Sequence, residues 1–185
     1  MMLTILDRDG VLNVNRPEHV LTTGQWQWLP GALDACRRLS GSSGGRLAVV
    51  TNQAAVGRGL LAPSGLAAIH RRMTEDLARA GVARPLVLHC PHRPEARCWC
   101  RKPAPGMVYA ALAWFGADAE RTVVVGDHVS DLLAARAAGC WSVHVRSGRG
   151  VASASGGPRY LGSFPDLSAC ADAVEQRRTA HAPRP

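Results

Sequence analysis

The 185-residue chain has little lysine, little tyrosine or phenylalanine, and no long apolar run. Its apolar stretches are of strand length, far short of the ~20 residues that span a bilayer, which excludes a membrane-spanning helix. Aromatic residues make up 5% of the chain, too few for the stacking platforms that single-stranded nucleic acid needs. The net charge of +8 does not reverse that conclusion, because Arg177, Arg178 and Arg184 lie in a terminal segment, Gln176 to Pro185, that contains no acid. The remaining excess suits a small anionic substrate, with no nucleic-acid partner. Also missing, ahead of the run Met2 to Leu6, is the basic start, apolar stretch and cleavage site of a secretory signal. The expected location is therefore the cytoplasm, with no membrane partner. Since no long apolar face marks a subunit interface, the expected state is a monomer.

Of 22 basic residues a single one, Lys102, is lysine. A compact ammonium in a chain that otherwise uses planar, bulkier guanidinium groups marks a position with its own requirement. The six cysteines divide into two kinds. Cys36, Cys140 and Cys170 sit in apolar surroundings and read as buried thiols. Cys90, Cys98 and Cys100 cluster with His92, and without an export signal that cluster points to metal rather than to disulfides.

The length fits one hydrophobic core, so a single domain is expected over residues 1–175, followed by a disordered tail at 176–185. Five apolar runs, Met2 to Leu6, Arg46 to Val50, Leu86 to Leu88, Thr122 to Val125 and Trp141 to Val145, read as buried parallel strands. Between and after them lie expected helices at Gly31 to Leu39, Ser64 to Ala80, Pro105 to Phe115, Ser130 to Ala138 and Asp166 to Arg177. The second carries Leu66, Ile69, Met73 and Leu77 at helical spacing and stops at Gly81. The pattern predicts an α/β fold with a doubly wound, Rossmann-like parallel sheet, whose ligands bind beyond the carboxyl ends of the strands. At those ends stand Asp7, Thr51, the His89-Cys90 pair and Asp127.

Asp7-Arg8-Asp9-Gly10 puts two carboxylates two residues apart at a turn that Gly10 permits. Asp7 is placed to attack phosphorus, and Asp9 to protonate the leaving alkoxide and later activate water. A carboxylate approaches a phosphate dianion only with a hard cation between them, so the scheme requires Mg²⁺ and a further oxygen ligand, which Asp127 supplies. Asp131 reads two ways, orienting a metal-bound water or favouring a helix N-terminus. Thr51 and Lys102 are the donors for the phosphoryl oxygens. Cys90-Pro91-His92, five residues, then Cys98-Trp99-Cys100 supplies three thiolates and an imidazole, a closed set for structural Zn²⁺ in the loop that precedes Arg101 and Lys102.

Together, Asp7 to Asn13, Thr51-Asn52-Gln53, Arg101-Lys102-Pro103 and Gly126 to Asp131 resemble the four motifs of the haloacid dehalogenase (HAD) superfamily of phosphatases, over about Met2 to Arg149. The cysteine loop is similar to that of the zinc-containing branch, which includes histidinol phosphatases and D-glycero-D-manno-heptose 1,7-bisphosphate phosphatases. Thr51 to Gly59, Arg101 to Met107 and Val143 to Gly148 look more like the heptose enzymes. The five-residue gap in the cysteine loop is similar to the histidinol pattern, and His128 stands where Lys or Arg is more familiar. The resemblance implies a Mg²⁺-dependent phosphatase that removes the C7 phosphate of the heptose through an aspartyl phosphate, in nucleotide-activated heptose biosynthesis. It implies Asp7 as nucleophile and Asp9 as acid/base. Asp7, Asp9 (through its backbone carbonyl) and Asp127 would hold Mg²⁺, and Thr51 and Lys102 would stabilise the phosphoryl group. Asn15, Arg16, Pro17 and Glu18, the Asn52-Gln53-Ala54 backbone and Arg101 would recognise a phosphorylated sugar, with Arg58 a further cation. The short gaps after Asp7 and Thr51 leave no room for a large cap domain. Histidinol phosphate, which Glu18 or Glu95 could serve, a nucleic-acid 3′-phosphatase and a catalytically silent zinc-stabilised binding module are the competing readings. The presence of Asp7, Asp9, Thr51, Lys102 and Asp127 together weighs against the last.

Overall fold

A computed structural model describes residues 2–41, 45–149 and 157–180, the last three of these as backbone only. Six strands, β1 (Leu3–Leu6), β2 (Arg46–Asn52), β3 (Leu86–Cys90), β4 (Thr122–Gly126), β5 (Trp141–Val145) and β6 (Tyr160–Phe164), form one sheet in the order β3-β2-β1-β4-β5-β6. Every pairing is parallel, so the chain is doubly wound and reverses its direction of travel across the sheet between β1 and β4. That reversal opens a crevice at the carboxyl ends of those two strands.

Among the described residues six α-helices accompany the strands: α1 (Ala32–Ser40), α2 (Ala54–Gly57), α3 (Pro63–Arg79), α4 (Gly106–Phe115), α5 (Val129–Ala137) and α6 (Leu167–Ala180). Alternation along the strands divides the core in two. Leu6, Leu47, Val49, Val123 and Val125 face one side, with Cys36 and Leu39 of α1, Leu66, Ile69, Met73 and Leu77 of α3, and Leu167, Cys170 and Val174 of α6. Leu3, Ile5, Ala48, Val50 and Val124 face the other, with Met107, Val108 and Ala111 of α4 and Ala134 and Ala135 of α5. The helical stripe expected in α3 is thus the buried face of that helix. No helix among the described residues is long and apolar enough to cross a membrane.

Four features depart from the sequence reading. β2 and β3 run two residues further than the apolar pattern, because Thr51↔His89 and Asn52↔Cys90 continue the ladder with polar side chains. β6 was not foreseen: Tyr160–Phe164 is a half-exposed edge strand, and a register irregularity between Ser142 and His144 interrupts its pairing. α2 forms in a segment where no helix was expected. The helix α6 continues to Ala180, past Gln176 where the tail was expected to begin, and residues 181–185 of that tail lie outside the described residues.

Candidate active site

β1 ends at Leu6, and the next amide, that of Asp7, still donates to Val125 O of β4 (2.9 Å), which keeps the Asp7 carboxylate over the crevice. The chain then turns sharply, with Val11, Leu12 and Asn13 N all directed at Arg8 O. Gly10 makes the turn possible with φ +87°, and a Cβ there would overlap the Asp127 carboxylate. A second close approach fixes Asp131: a Cβ on Gly126 would collide with the Asp131 side chain, so glycine at the end of β4 lets α5 start directly over the strand.

These turns bring Asp7, Asp127 and Asp131 together, with carboxylate oxygens within 4.8 Å of one another. Lys102 joins them from the far side, buried at 3% exposure. Its Nζ donates to Asp7 Oδ1 (2.7 Å) and Val50 O (2.8 Å) and pairs with Asp131 Oδ1 (2.6 Å). Its backbone is fixed by Asn52, which donates from Nδ2 to Lys102 O (3.0 Å) and accepts from Lys102 N at Oδ1 (3.1 Å). Burial works against a charged Lys102, but Asp131 and Asp7 outweigh it and hold the ammonium well above the usual lysine range. Asp7 moves the opposite way from an ordinary ion-paired carboxylate. Burial, with Asp131, Asp127 and Asp9 nearby, raises it to about 8 despite Lys102. Asp127 is raised too, by burial first and by Asp131.

Three carboxylates and one ammonium therefore leave uncompensated negative charge in a buried cluster of oxygen donors, which fits a hard divalent cation such as Mg²⁺. Asp131 Oδ1 is taken by Lys102 and Oδ2 by His128 N (3.1 Å), and Asp127 Oδ2 accepts from Arg149 N (2.7 Å). Asp7 Oδ2 and Asp127 Oδ1 take no hydrogen bond among the described residues and are the oxygens free to face a cation. Asp131 lies in the first turn of α5, as one of its two readings had it, and there forms a capping box with His128; it also pairs with Lys102. His128 is the N-cap, accepting from Ser130 N at Nδ1 (3.2 Å).

The Asp9 carboxylate lies outside this cluster, so its side chain is not among the grouped metal donors. It accepts from Arg8 Nη2 (3.0 and 2.9 Å), Asn13 Nδ2 (3.0 Å) and Gln53 Nε2 (2.9 Å). Burial opposes ionisation here as well, but Arg8, Asn13 and Gln53 outweigh it and hold Asp9 below the usual carboxylate range. Neighbouring carboxylates of one turn are thus pushed in opposite directions. Gln53 Nε2 also donates to Thr51 Oγ1 (2.8 Å), which leaves the Thr51 hydroxyl proton free to be given elsewhere.

The cluster forms the floor of a cavity of ≈ 410 Å³. Of the expected recognition residues, Asn15, Arg16, Pro17, Asn52, Ala54 and Arg101 line it, as does Arg58. Glu18 is exposed and outside the lining, and Gln53 is buried beneath it, its amide donated to Cys90 O (2.8 Å) and its side chain used by Asp9 and Thr51. Gln53 therefore supports the site and offers no backbone donor to a substrate, and the Asn52 side chain is engaged by Lys102. Arg149 and Ser130 line the cavity without having been foreseen. The strand-end rule that located Asp7, Thr51 and Asp127, applied equally to β5, leads to the Ser147-Gly148-Arg149 segment.

Beside the cavity, Cys90, His92, Cys98 and Cys100 gather their donor atoms within 4.8 Å of one another. The Cys90–Cys98 and Cys98–Cys100 Sγ separations are 3.5 Å, and His92 Nδ1 lies 3.5 Å from Cys90 Sγ and 3.3 Å from Cys100 Sγ. A tetrahedral zinc ion with Zn–S of about 2.3 Å sets sulfurs about 3.7 Å apart, so the four donors fit Zn²⁺ after a small outward adjustment. The loop is clamped to α2 by Gly57 N donating to Pro91 O (2.9 Å) and Arg93 Nε to Gly57 O (2.7 Å), and Trp99 stacks on Tyr109 of α4. Cys36, Cys140 and Cys170 are buried thiols, each pushed up to about 12 by burial.

A family model described as HAD-hydrolase-like matches residues 99–162. The chain is 40% identical over 176 residues to the D-glycero-β-D-manno-heptose-1,7-bisphosphate 7-phosphatase of Pseudomonas aeruginosa, covering 94% of this chain and 98% of that one. It is 42% identical over 162 residues to the D-glycero-α-D-manno-heptose-1,7-bisphosphate 7-phosphatase of Mycobacterium tuberculosis, covering 81% and 83%. Among solved structures, the D,D-heptose 1,7-bisphosphate phosphatase of B. bronchiseptica complexed with magnesium and phosphate superposes with a TM-score of 0.88 at 36% identity, over 96% of this chain and 99% of that one.

Proposed function

The chain belongs to the heptose-1,7-bisphosphate 7-phosphatase family of HAD-like hydrolases, and from that premise we propose that it removes the C7 phosphate of D-glycero-D-manno-heptose 1,7-bisphosphate by way of an aspartyl phosphate, in the biosynthesis of nucleotide-activated heptose. The observation that carries the reading is the floor of the cavity: Asp7 oriented by Lys102, with Asp9 two residues on and the Thr51 hydroxyl proton available. Around it Arg16, Arg58, Arg101 and Arg149 line the walls, matching a substrate that carries a phosphate at each end. No Trp, Tyr or Phe lines the cavity, and neither do Glu18 and Glu95, which favours a sugar bisphosphate over a nucleic acid or an amine-bearing substrate.

In this scheme the Asp7 carboxylate attacks phosphorus while the bond to the C7 oxygen breaks. Lys102 holds Asp7 Oδ1 and so fixes the orientation of the nucleophilic carboxylate. In the free protein its Nζ donates to Asp7 Oδ1 and Val50 O and is ion-paired with Asp131 Oδ1, which leaves one N–H for a phosphoryl oxygen. Thr51 donates its hydroxyl proton to a phosphoryl oxygen. Asp9, a carboxylate in the free protein, takes up a proton from solvent as the anionic substrate enters beside it, then gives that proton to the departing alkoxide. It next takes a proton from the water that attacks the acyl phosphate, releasing inorganic phosphate and restoring Asp7. Asp7, Asp127 and the Asp9 carbonyl would hold Mg²⁺, which would supply the positive charge that offsets repulsion between carboxylate and phosphate. Zn²⁺ on Cys90, His92, Cys98 and Cys100 would be structural, because four protein donors leave no position for substrate. The reading includes a cytoplasmic monomer.

Phosphate release with Mg²⁺ from both anomers of the heptose bisphosphate, beside histidinol phosphate, tests it, with Asp7→Asn as the blank. The expected result is preferential turnover of one heptose anomer, with ³¹P NMR showing loss of the C7 signal. Faster turnover of histidinol phosphate, or loss of the C1 phosphate, would overturn the substrate assignment.

A further inference from the structure

Arg8 and His70 have no part in the chemistry described above, yet both are tied to it. Arg8 is 1% exposed, and its Nη2 grips both oxygens of Asp9. Its Nη1 lies 3.2 Å from Nε2 of His70, which reaches in from α3. The Trp26 ring lies against the guanidinium, 5.9 Å from its centroid. Arg8 Nε has no partner among the described residues, so the orientation of the group rests on His70 and Trp26 at one end and Asp9 at the other.

Arginine has only donors, so His70 Nε2 must accept and the imidazole must be neutral, with its proton on Nδ1. The surroundings favour that form. Burial, the Arg8 charge and His89, whose ring is 5.5 Å away, lower His70 to about 3 against the single opposing pull of Asp9.

We propose that His70 is a positioning residue for phosphoryl transfer: by accepting from Arg8 it fixes the guanidinium that holds the Asp9 carboxylate at the cavity wall, and so sets the direction from which Asp9 exchanges a proton with the departing oxygen. Asp9 accepts four hydrogen bonds in all, two of them from one Arg8 nitrogen, so a guanidinium free to swing would drag the carboxylate with it. The inference rests on the reading of Asp9 as acid/base and deepens it.

The test separates positioning from folding through the leaving group. An alkyl phosphate needs its departing oxygen protonated, whereas p-nitrophenyl phosphate leaves as a stable anion and needs little help. His70→Leu is expected to lower kcat/KM on the alkyl substrate by about 10-fold, while kcat/KM for p-nitrophenyl phosphate falls by less than about twofold; this ratio covers the steps up to departure of the leaving group and leaves out the later hydrolysis, in which Asp9 acts whichever substrate was used. His70→Gln, whose Oε1 can occupy the place of Nε2, is expected to restore the alkyl rate to within about twofold, and the shorter His70→Asn to fail. Equal losses on the two substrates, no loss on either, or His70→Gln as impaired as His70→Asn would overturn the proposal. The Gln and Asn pair decides the matter even where the leucine variant does not fold. If the heptose bisphosphate is not the substrate, any alkyl phosphate the enzyme turns over serves in its place, so the two readings fail separately.

Discussion

The soft donors Cys90, His92, Cys98 and Cys100 lie in one stretch of chain, whereas Asp7 lies far in sequence from Asp127 and Asp131 and meets them only because β1 and β4 are neighbours. A local loop closes at small entropic cost, and a bound metal can repay it. The carboxylates repel one another in a buried floor, and it is the packed sheet and Lys102 that hold them there. The clusters are also joined. Lys102 follows Cys100 by two residues, so the cysteine loop, clamped to α2 and α4, delivers the ammonium to the carboxylates, and Asn52 locks its backbone on arrival. One cluster is thus built to place a charge and the other to use it.

The most severe way to break the comparison is within the carboxylates. Asp7→Asn is expected to lower kcat by more than about 10⁴-fold, as for other nucleophile deletions, while leaving the melting temperature at or above that of the wild type, because it removes a charge whose burial is unfavourable. Steady-state kinetics and calorimetry on the same sample check both halves, and a destabilised variant would contradict the account of the floor.

In the thiol cluster the order reverses. Cys98→Ser is expected to lose Zn²⁺, lower the melting temperature and raise hydrogen exchange over residues 91–101. Activity should fall by about 10–100-fold through misplacement of Lys102. Metal analysis and exchange mass spectrometry read this directly, and full activity in a zinc-free protein would disconnect the two clusters.

A smaller effect is the pH dependence of stability without Mg²⁺. Burial and neighbouring carboxylates raise Asp7 from 3.8 to about 8 in the folded protein, so the folded state holds that proton more tightly than the unfolded one. Its contribution to stability is complete below about pH 4 and is lost as pH rises through about 8. The melting temperature of the Mg²⁺-free wild type should therefore decline across that window more steeply than that of Asp7→Asn. Added Mg²⁺ should flatten the decline. Parallel profiles for the two proteins would contradict the assigned shift.

Smallest is the rim. Arg101→Ala is expected to raise KM about 10-fold with little change in kcat, and Arg58→Ala, at an exposed position of the rim, about two- to threefold. Equal effects on kcat would move these residues from recognition into the chemistry.

Much of the site could be read along the chain because each participant follows an apolar strand. The pattern identified β1, β2, β4 and β5 to within two residues and so placed Asp7, Thr51 and Asp127 at one sheet edge. The unusual lysine and the cysteine spacing marked the remaining parts. β6 was missed because its residues are half exposed and carry no alternating apolar pattern. Gln53 was assigned to the substrate because a polar residue after a strand looks the same whether it faces the cavity or supports Asp9 from below. Arg149 was missed because its contribution is a backbone amide to Asp127, which no side-chain pattern announces.

The order of residues along the chain alone determined the α/β class, the two carboxylates of the first turn and the local thiol cluster, since these depend on strand periodicity and spacing within a few residues. Only the tertiary structure decided that Asp131 ties to Lys102, that Asp9 turns to Arg8 instead of joining the other carboxylates, and that His70 lies behind Arg8. Those relations depend on which strands are neighbours and how closely two turns approach, as at Gly10 and Gly126. The energies of buried charges are set by that proximity in space, whatever their separation in sequence.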